Sequence, residues 1–186
     1  MTISELVQEA IRHLSSGDPE QALVQVSIAI DKTSQQECPT LKQTGPRYKQ
    51  FLHDNLQLIG GAAIGIWATG FFRVNYRHPE ITPDAQGYAT LEQIVYHAVR
   101  CGLLHAGELP KDIQFTTERK MRVDPATNSL LLPYSLIIGL VLAVVGAPTN
   151  ADQTSPADFT LRMDNKVVQI NNFWGNKPKI ATFLRS

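Results

Sequence analysis

Two side chains near the middle of the chain, Arg100 and His105, have the types and the spacing that chemistry on a phosphate group needs. The imidazole of a histidine titrates close to neutral pH and can accept or donate a proton. The guanidinium of an arginine can bind a phosphate through two hydrogen bonds and stabilise charge that develops during phosphoryl transfer. Phosphodiester chemistry is therefore the first hypothesis for this chain.

A regular α-helix would not bring these two side chains together. The apolar spacing of residues 89–104 predicts a helix, with Arg100 and His105 near its C-terminal end. Five residues on an α-helix place two side chains about 140° apart. They would converge only if the helix loosens near Gly102, or if both point into a groove shared with another subunit. The alternative is that both cations only complement the negative end of the helix and its free carbonyl groups.

The run from Arg100 to His105, followed by Ala106-Gly107, resembles the R-x(4–6)-H motif of the HEPN family (higher eukaryotes and prokaryotes nucleotide-binding). Residues 21–31 also resemble an early helix of that family, in which a polar residue is set into an apolar face. The resemblance covers about residues 1–110. It implies a helical bundle that dimerises so that two motifs face one cleft.

Members of this family are often metal-independent ribonucleases of toxin and defence systems. The resemblance therefore implies RNA cleavage in which Arg100 orients the scissile phosphate. It implies that His105 acts as general base or acid on the ribose 2′-hydroxyl and leaves a cyclic phosphate. Catalytic members usually have a polar residue directly after the arginine, where this chain has Cys101. A non-catalytic module that binds RNA, a nucleotide or a protein is therefore the alternative function.

Further residues are expected to support this site. Asp31 lies on the inner side of the second predicted helix, and a buried carboxylate needs a partner, for which Arg100 is the candidate. The pair could be catalytic or a structural ion pair. Tyr96, His97 and Cys101 surround the motif on its own helix and are expected to contribute to binding.

A metal site is the rival interpretation of the same helix. His97, Cys101 and His105 are spaced by four residues and form one stripe, and imidazole and thiolate are good zinc ligands. Three ligands on successive turns span about 12 Å, so only one pair plus an outside ligand such as Cys38 could bind one ion. No Cys-x-x-Cys or His-Glu-x-x-His pattern accompanies them, and we expect neither a metal nor a cofactor.

The N-terminal half is predicted to be helical. Thr2 and Glu5 form a capping box at the start of the first helix, and Asp18 followed by Pro19 starts the second. One long third helix is predicted from about residue 47 to about residue 72, ahead of a loop over residues 76–87 and the helix over residues 89–104.

The second half alternates strands and helices. Residues 113–132 are predicted to form a β-hairpin around the turn at residues 124–128, and Pro133 to open a helix that ends at Gly146. A second hairpin is expected in residues 159–175.

The predicted fold is mainly α (α+β), a HEPN-like helical bundle with small β-hairpins in the C-terminal half. We expect one domain, residues 1–186, in which residues 1–110 form the helical core. Residues 111–186 add a hairpin, a core helix and a C-terminal β-hairpin.

Composition limits the function classes. With 17 basic and 17 acidic residues, the chain lacks the basic excess of a protein that binds nucleic acid over its whole surface, so any RNA contact must use a local patch. Two cysteines are too few for a disulfide framework, and the first residues show no signal peptide, so we expect the cytoplasm. The apolar runs 56–72 and 136–147 are shorter than a membrane span of about 20 residues. RNA or a nucleotide, a second copy in a homodimer, or a protein are the expected partners, and no membrane.

Overall fold

The chain begins with a helical hairpin. The computed structural model describes residues 1–67, 72–163 and 166–186, without the side chains of residues 98 and 104–106. Helix α1 (Ile3–Ser15) has the predicted capping box between Thr2 and Glu5. Helix α2 (Pro19–Glu37) starts at Asp18, whose carboxylate accepts a hydrogen bond from the backbone of Gln21. Both starts were predicted correctly because capping depends on residues only three positions apart.

The single third helix was a wrong prediction, because the structure contains two helices there. Helix α3 (Thr44–Asp54) ends at Asn55, whose side-chain amide donates to the carbonyl of Phe51. Helix α4 (Leu56–Ile64) then ends at Gly65, which has a φ of 74°. Glycine adopts this left-handed conformation without steric cost, and it ends helices for that reason. Residues 68–71, which the prediction included in the helix, lie outside the described residues.

The segment that carries the motif has an unusual winding. Strands β1 (Arg73–Val74) and β2 (Ala89–Thr90) pair antiparallel on either side of the predicted loop. A short helix α5 (Leu91–Gln93), with the capping box of Thr90 and Gln93, continues directly into a π-helix (Ile94–Ala106) that ends at Gly107. A π-helix has hydrogen bonds five residues apart and is rare, and single-turn π-bulges within α-helices occur frequently at functional sites. The sequence predicted a helix here but not its winding.

The next strands form a sheet of three, not a simple hairpin. Strand β4 (Arg122–Val123) pairs antiparallel with β5 (Leu130–Pro133), as predicted around the turn. Strand β3 (Ile113–Thr116) pairs with β5 in parallel, so β5 lies in the centre. The turn is held against the preceding loop, because the Asn128 amide donates to the carbonyl of Arg77 and accepts from its N–H. The prediction missed the parallel partner because that pairing is set by tertiary contact.

The C-terminal part is only partly a hairpin. Strands β6 (Thr160–Met163) and β7 (Lys166–Gln169) pair antiparallel, as expected, although the turn at residues 164 and 165 lies outside the described residues. The chain does not end in strand structure, however. A 3₁₀ turn (Ile170–Asn172) leads to helix α7 (Lys177–Arg185), whose start Asn176 caps. The missed helix has Pro178 within its first turn, a common starting signal.

The core is organised around helix α6 (Tyr134–Gly146), which is buried over nearly its whole length. It contacts α1, α2, α4 and α7 and is followed by a 3₁₀ turn (Pro148–Asn150). Gly139 lets α4 approach closely, since a Cβ at this position would lie 2.8 Å from the carbonyl oxygen of Ile59. The described part of the chain is therefore mainly helical with small sheets. No helix in the described ranges is long and apolar enough to cross a membrane.

Arg119 joins the small sheet region to the helical core. Its guanidinium donates to the carbonyl of Ala62 at 2.7 Å, to that of Gly61 at 3.3 Å and to that of Ala63 at 3.5 Å, all at the C-terminal end of α4. The Ser135 hydroxyl donates to the neighbouring carbonyl of Ala63. A cation at a helix C-terminus satisfies free carbonyl groups and complements their partial negative charge.

Replacing Arg119 with Ala is expected to lower the free energy of unfolding by about 2 kcal/mol, because the hydrogen bonds of a charged donor to the carbonyls of Gly61, Ala62 and Ala63 are lost. Urea denaturation followed by circular dichroism measures this. Lys120→Ala, next to it in the chain, serves as the control and should change stability by less than about 0.5 kcal/mol. Equal stability of the two variants would show that Arg119 does not hold the end of α4.

Candidate functional site

The residues singled out from the sequence lie where three helices and one loop meet. The π-helix contributes Tyr96, His97, Arg100 and Cys101, and α2 contributes Asp31. Helix α3 packs against Tyr96 so closely that a Cβ at Gly45 would lie 2.9 Å from the tyrosine hydroxyl. The loop before β2 adds a carboxylate from the other side. We call this group of residues the π-helix site.

Asp31 and Arg100 form the ion pair that was considered from the sequence. Nη2 of Arg100 donates to Oδ2 of Asp31 at 2.6 Å, a short distance typical of a charged pair. The side chains of Arg100 and Asp31 are only 13% and 18% exposed. Burial by itself lowers the pKa of Arg100, but the hydrogen bond and charge of Asp31 outweigh it and the pKa is raised. The guanidinium is therefore a permanent cation in a fixed position.

Two tyrosine rings flank this cation. The guanidinium carbon of Arg100 lies 5.4 Å from the ring centroid of Tyr96 and 5.9 Å from that of Tyr48. The ammonium of Lys49 lies 5.5 Å from the Tyr96 ring centroid, so the same ring has two cations as neighbours. Such contacts contribute about 0.5–2 kcal/mol each, depending on exposure. Burial raises the pKa of both tyrosines, which keeps their hydroxyl groups protonated.

The ion pair does not use all of its hydrogen-bonding groups. Oδ1 of Asp31 and Nε of Arg100 are buried and have no hydrogen bond of ordinary geometry to the described protein atoms. The Cys101 thiol is a close neighbour that raises the pKa of Arg100. Buried polar groups without a hydrogen bond cost free energy and are rare in native proteins. These free groups could bind a ligand, which a purely structural ion pair does not need.

His97 provides a neutral imidazole beside the cations. Burial and the charge of Lys49 lower the pKa of His97, against the opposing effect of Glu80, so the neutral form dominates at pH 7. Its Nδ1 lies 3.8 Å from Oε2 of Glu80. The ring stands edge-on to Tyr96, with centroids 4.9 Å apart and an interplanar angle of 90°. The contact with Tyr96 therefore restrains the ring, and the Glu80 carboxylate lies close to its Nδ1.

The ligand atoms of Glu80, His97 and Cys101 lie within 4.8 Å of one another. In the described parts of the chain, this is the group of three whose side chains could hold a metal ion. Cys38, the outside ligand considered from the sequence, is buried at the end of α2 and does not belong to the group. The ligand from outside the helix is Glu80 instead.

His105 can be placed only through its backbone. The π-helix includes positions 100 and 105, and five residues make little more than one turn of such a helix, so both positions lie on one side of it. The winding therefore differs from the α-helix on which the two positions were expected to lie about 140° apart. The His105 side chain lies outside the described residues.

Sequence reasoning missed Glu80, Lys49 and Tyr48 as members of the site. Glu80 is 17 positions before His97 in an irregular loop, and no periodicity or motif signals such a contact. Tyr48 and Lys49 are adjacent in α3, at a helix start that carries no side-chain cap. The sequence offered one weak signal for a binding surface in α3, the aromatic and basic pair Tyr48-Lys49 directly after Pro46-Arg47.

A separate cleft of about 730 Å³ lies between the end of α1, the start of α6 and strand β6. Its wall includes Thr117, Arg119, Tyr134 and Arg162. None of the described residues that line it belongs to the π-helix site. Because Arg119 is already bound to the end of α4, this cleft is less suited to bind an anion than its two arginines suggest.

Comparison with known proteins gives relatives but no solved counterpart. Uncharacterized protein Rv1289 of Mycobacterium tuberculosis (strain ATCC 25618 / H37Rv) is 25% identical over 183 residues, which is 94% of this chain and 84% of the relative. Uncharacterized protein Mb1320 of Mycobacterium bovis matches with the same identity and coverage. No solved structure matches significantly. The model of the Rv1289 family matches residues 2–185. The chain therefore belongs to the Rv1289 family.

Proposed function

We propose that this chain is a HEPN-like protein that binds RNA at the π-helix site and cleaves it without a metal ion. In this proposal Arg100 orients the phosphate and His105 transfers protons at the ribose 2′-hydroxyl. The observation that carries it is the Asp31–Arg100 ion pair on a π-helix. It fixes the motif arginine on the same helix as position 105.

The physical chemistry of the site supports binding of a phosphate. A cation that is already oriented loses little freedom when a ligand arrives, so more of the interaction energy appears as affinity or rate. Asp31 occupies one amino group of Arg100, and an arginine has five N–H donors. Lys49 supplies a second positive charge beside the same tyrosine ring. A local patch of this kind is what a chain of zero formal net charge requires.

The same ion pair favours a second candidate, a module that binds RNA, a nucleotide or a protein without cleaving. Arg100 is largely buried, and Asp31 offsets its charge within the fold. The residue after the motif arginine is Cys101. In this second function the ion pair stabilises the fold, the site binds a partner, and no reaction is catalysed.

His105→Ala is expected to reduce the rate of RNA cleavage by at least about 100-fold, the usual contribution of a general acid or base. The measurement uses purified native protein with end-labelled RNA of mixed sequence in EDTA. Products of the native protein should end in a cyclic phosphate. His13→Ala, in the last turn of α1 and outside the π-helix site, is the matched control and should cleave like the native protein.

Three outcomes separate the candidates. Cleavage lost in His105→Ala but retained in His13→Ala supports the ribonuclease, provided that the thermal unfolding of both variants stays close to native. Absence of cleavage with salt-dependent RNA binding, measured by filter retention, contradicts the ribonuclease and leaves the binding module. Absence of both contradicts any role on RNA.

Dimerisation belongs to the same proposal. We propose a homodimer in which the π-helices of two copies face one cleft, as the family resemblance implies. Light scattering coupled to gel filtration should give twice the chain mass of 20.6 kDa. A monomer at micromolar concentration would contradict this arrangement.

A further inference from the structure

We propose that Glu80, His97 and Cys101 form a zinc-binding site. This inference concerns a different set of side chains from the acid–base chemistry proposed above and does not depend on it. Its basis is the convergence of three different ligand types from a loop and one helix. His97 and Cys101 are four positions apart on the π-helix, and Glu80 approaches from the loop before β2.

The distances fit a zinc ion with little rearrangement. Zinc bonds of about 2.0–2.3 Å in tetrahedral geometry place neighbouring ligand atoms about 3.3–3.6 Å apart. Nδ1 of His97 and Oε2 of Glu80 are already 3.8 Å apart, and all three ligand atoms lie within 4.8 Å of one another. Glu80 is exposed and not confined by packing, so a rotamer change can close the remaining distance.

The donor set selects the class of metal. A nitrogen, a sulfur and a carboxylate oxygen together suit a borderline ion such as Zn²⁺ better than Mg²⁺ or Ca²⁺, which prefer oxygen. Three protein ligands leave a fourth position for water or an anion. The edge-on contact with Tyr96 holds the His97 ring and limits the freedom lost on binding.

The charges around the group permit a divalent cation. Lys49 is the nearby positive charge that opposes binding, since it lowers the pKa of His97. Arg100 is a further cation, but Asp31 offsets it in the ion pair. The carboxylate of Glu80 and a metal-bound thiolate of Cys101 bring two negative charges to the ion. Lys49 opposes them with a single positive charge, so the ligand charges outweigh it.

Binding is tested with Co²⁺, which substitutes for Zn²⁺ and gives a thiolate charge-transfer band when a cysteine is a ligand. The native protein, purified with its cysteines reduced, should develop this band on titration to one equivalent. A chelating dye in competition then gives the Zn²⁺ affinity. Cys101→Ser and His97→Gln should each weaken it by more than about 100-fold, and Glu80→Gln by at least about 10-fold.

Cys38→Ser is the matched control, because it removes the other cysteine, which lies outside the group. It should retain both the band and the affinity. Absence of the band in the native protein overturns the proposal, as does its persistence in Cys101→Ser. Since Co²⁺ absorption and dye competition involve no RNA, failure of this site leaves the cleavage proposal untouched, and failure of cleavage in EDTA leaves this one untouched.

Discussion

Arg100→Met is expected to lower the free energy of unfolding by about 3 kcal/mol. Methionine keeps much of the contact with the rings of Tyr48 and Tyr96 but leaves the carboxylate of Asp31 buried without its partner. Removing one member of a buried ion pair costs about 3–5 kcal/mol, whereas replacing both members is often nearly neutral. The lower end applies because 18% of the Asp31 side chain remains exposed. Urea denaturation followed by circular dichroism gives the value.

A double-mutant cycle separates the charge from the packing. Asp31→Asn combined with Arg100→Met should recover about 2 kcal/mol of the loss, because no unpaired charge remains in the double variant. Arg12→Ala is the matched control, since it breaks an exposed ion pair with Glu9 on α1, and should cost less than about 0.5 kcal/mol. A double variant as unstable as Arg100→Met alone would show that the ion pair is not the source of the effect.

Gly139→Ala is expected to cost about 3 kcal/mol, although alanine has the better helix propensity by about 1 kcal/mol. The added Cβ would lie 2.8 Å from the carbonyl oxygen and 3.1 Å from the Cα of Ile59. Both atoms belong to the backbone of α4, so no side-chain rotation relieves the overlap. Helices α4 and α6 must move apart within a core that is packed on all sides.

Thermal and urea unfolding of the Gly139→Ala variant measure this cost. Gln36→Ala, at an exposed position of helix α2, introduces alanine where no contact forbids it and should change stability by less than about 0.5 kcal/mol. A native-like stability of Gly139→Ala would mean that α4 and α6 do not approach each other at this residue.

The local elements were predictable because short-range interactions determine them. The start of α1 depends on Thr2 and Glu5, and the start of α2 on Asp18 and Gln21. In each pair the two residues are only three positions apart, so the cap can be recognised from a short stretch of sequence. The turn between β4 and β5 is equally local, with the Asp124 carboxylate accepting from the backbone of Ala126. The Asp31–Arg100 pair was also accessible, since a carboxylate on an inner helix face needs a cation.

Tertiary contact decided other features. The parallel pairing of β3 with β5 joins residues 17 positions apart, which no local pattern signals. The break at Asn55 and the start of α7 have local signals, the Asn55 amide bound to Phe51 and the Asn176 cap, which the prediction overlooked. The site shows the same division, because residue types and spacing nominated Arg100, His97 and Cys101 from the sequence alone. Only the fold wound their helix with π geometry and brought Glu80 to His97. Local sequence encodes which groups can react, but the packing of α2, α3 and the loop against the π-helix determines which of them meet.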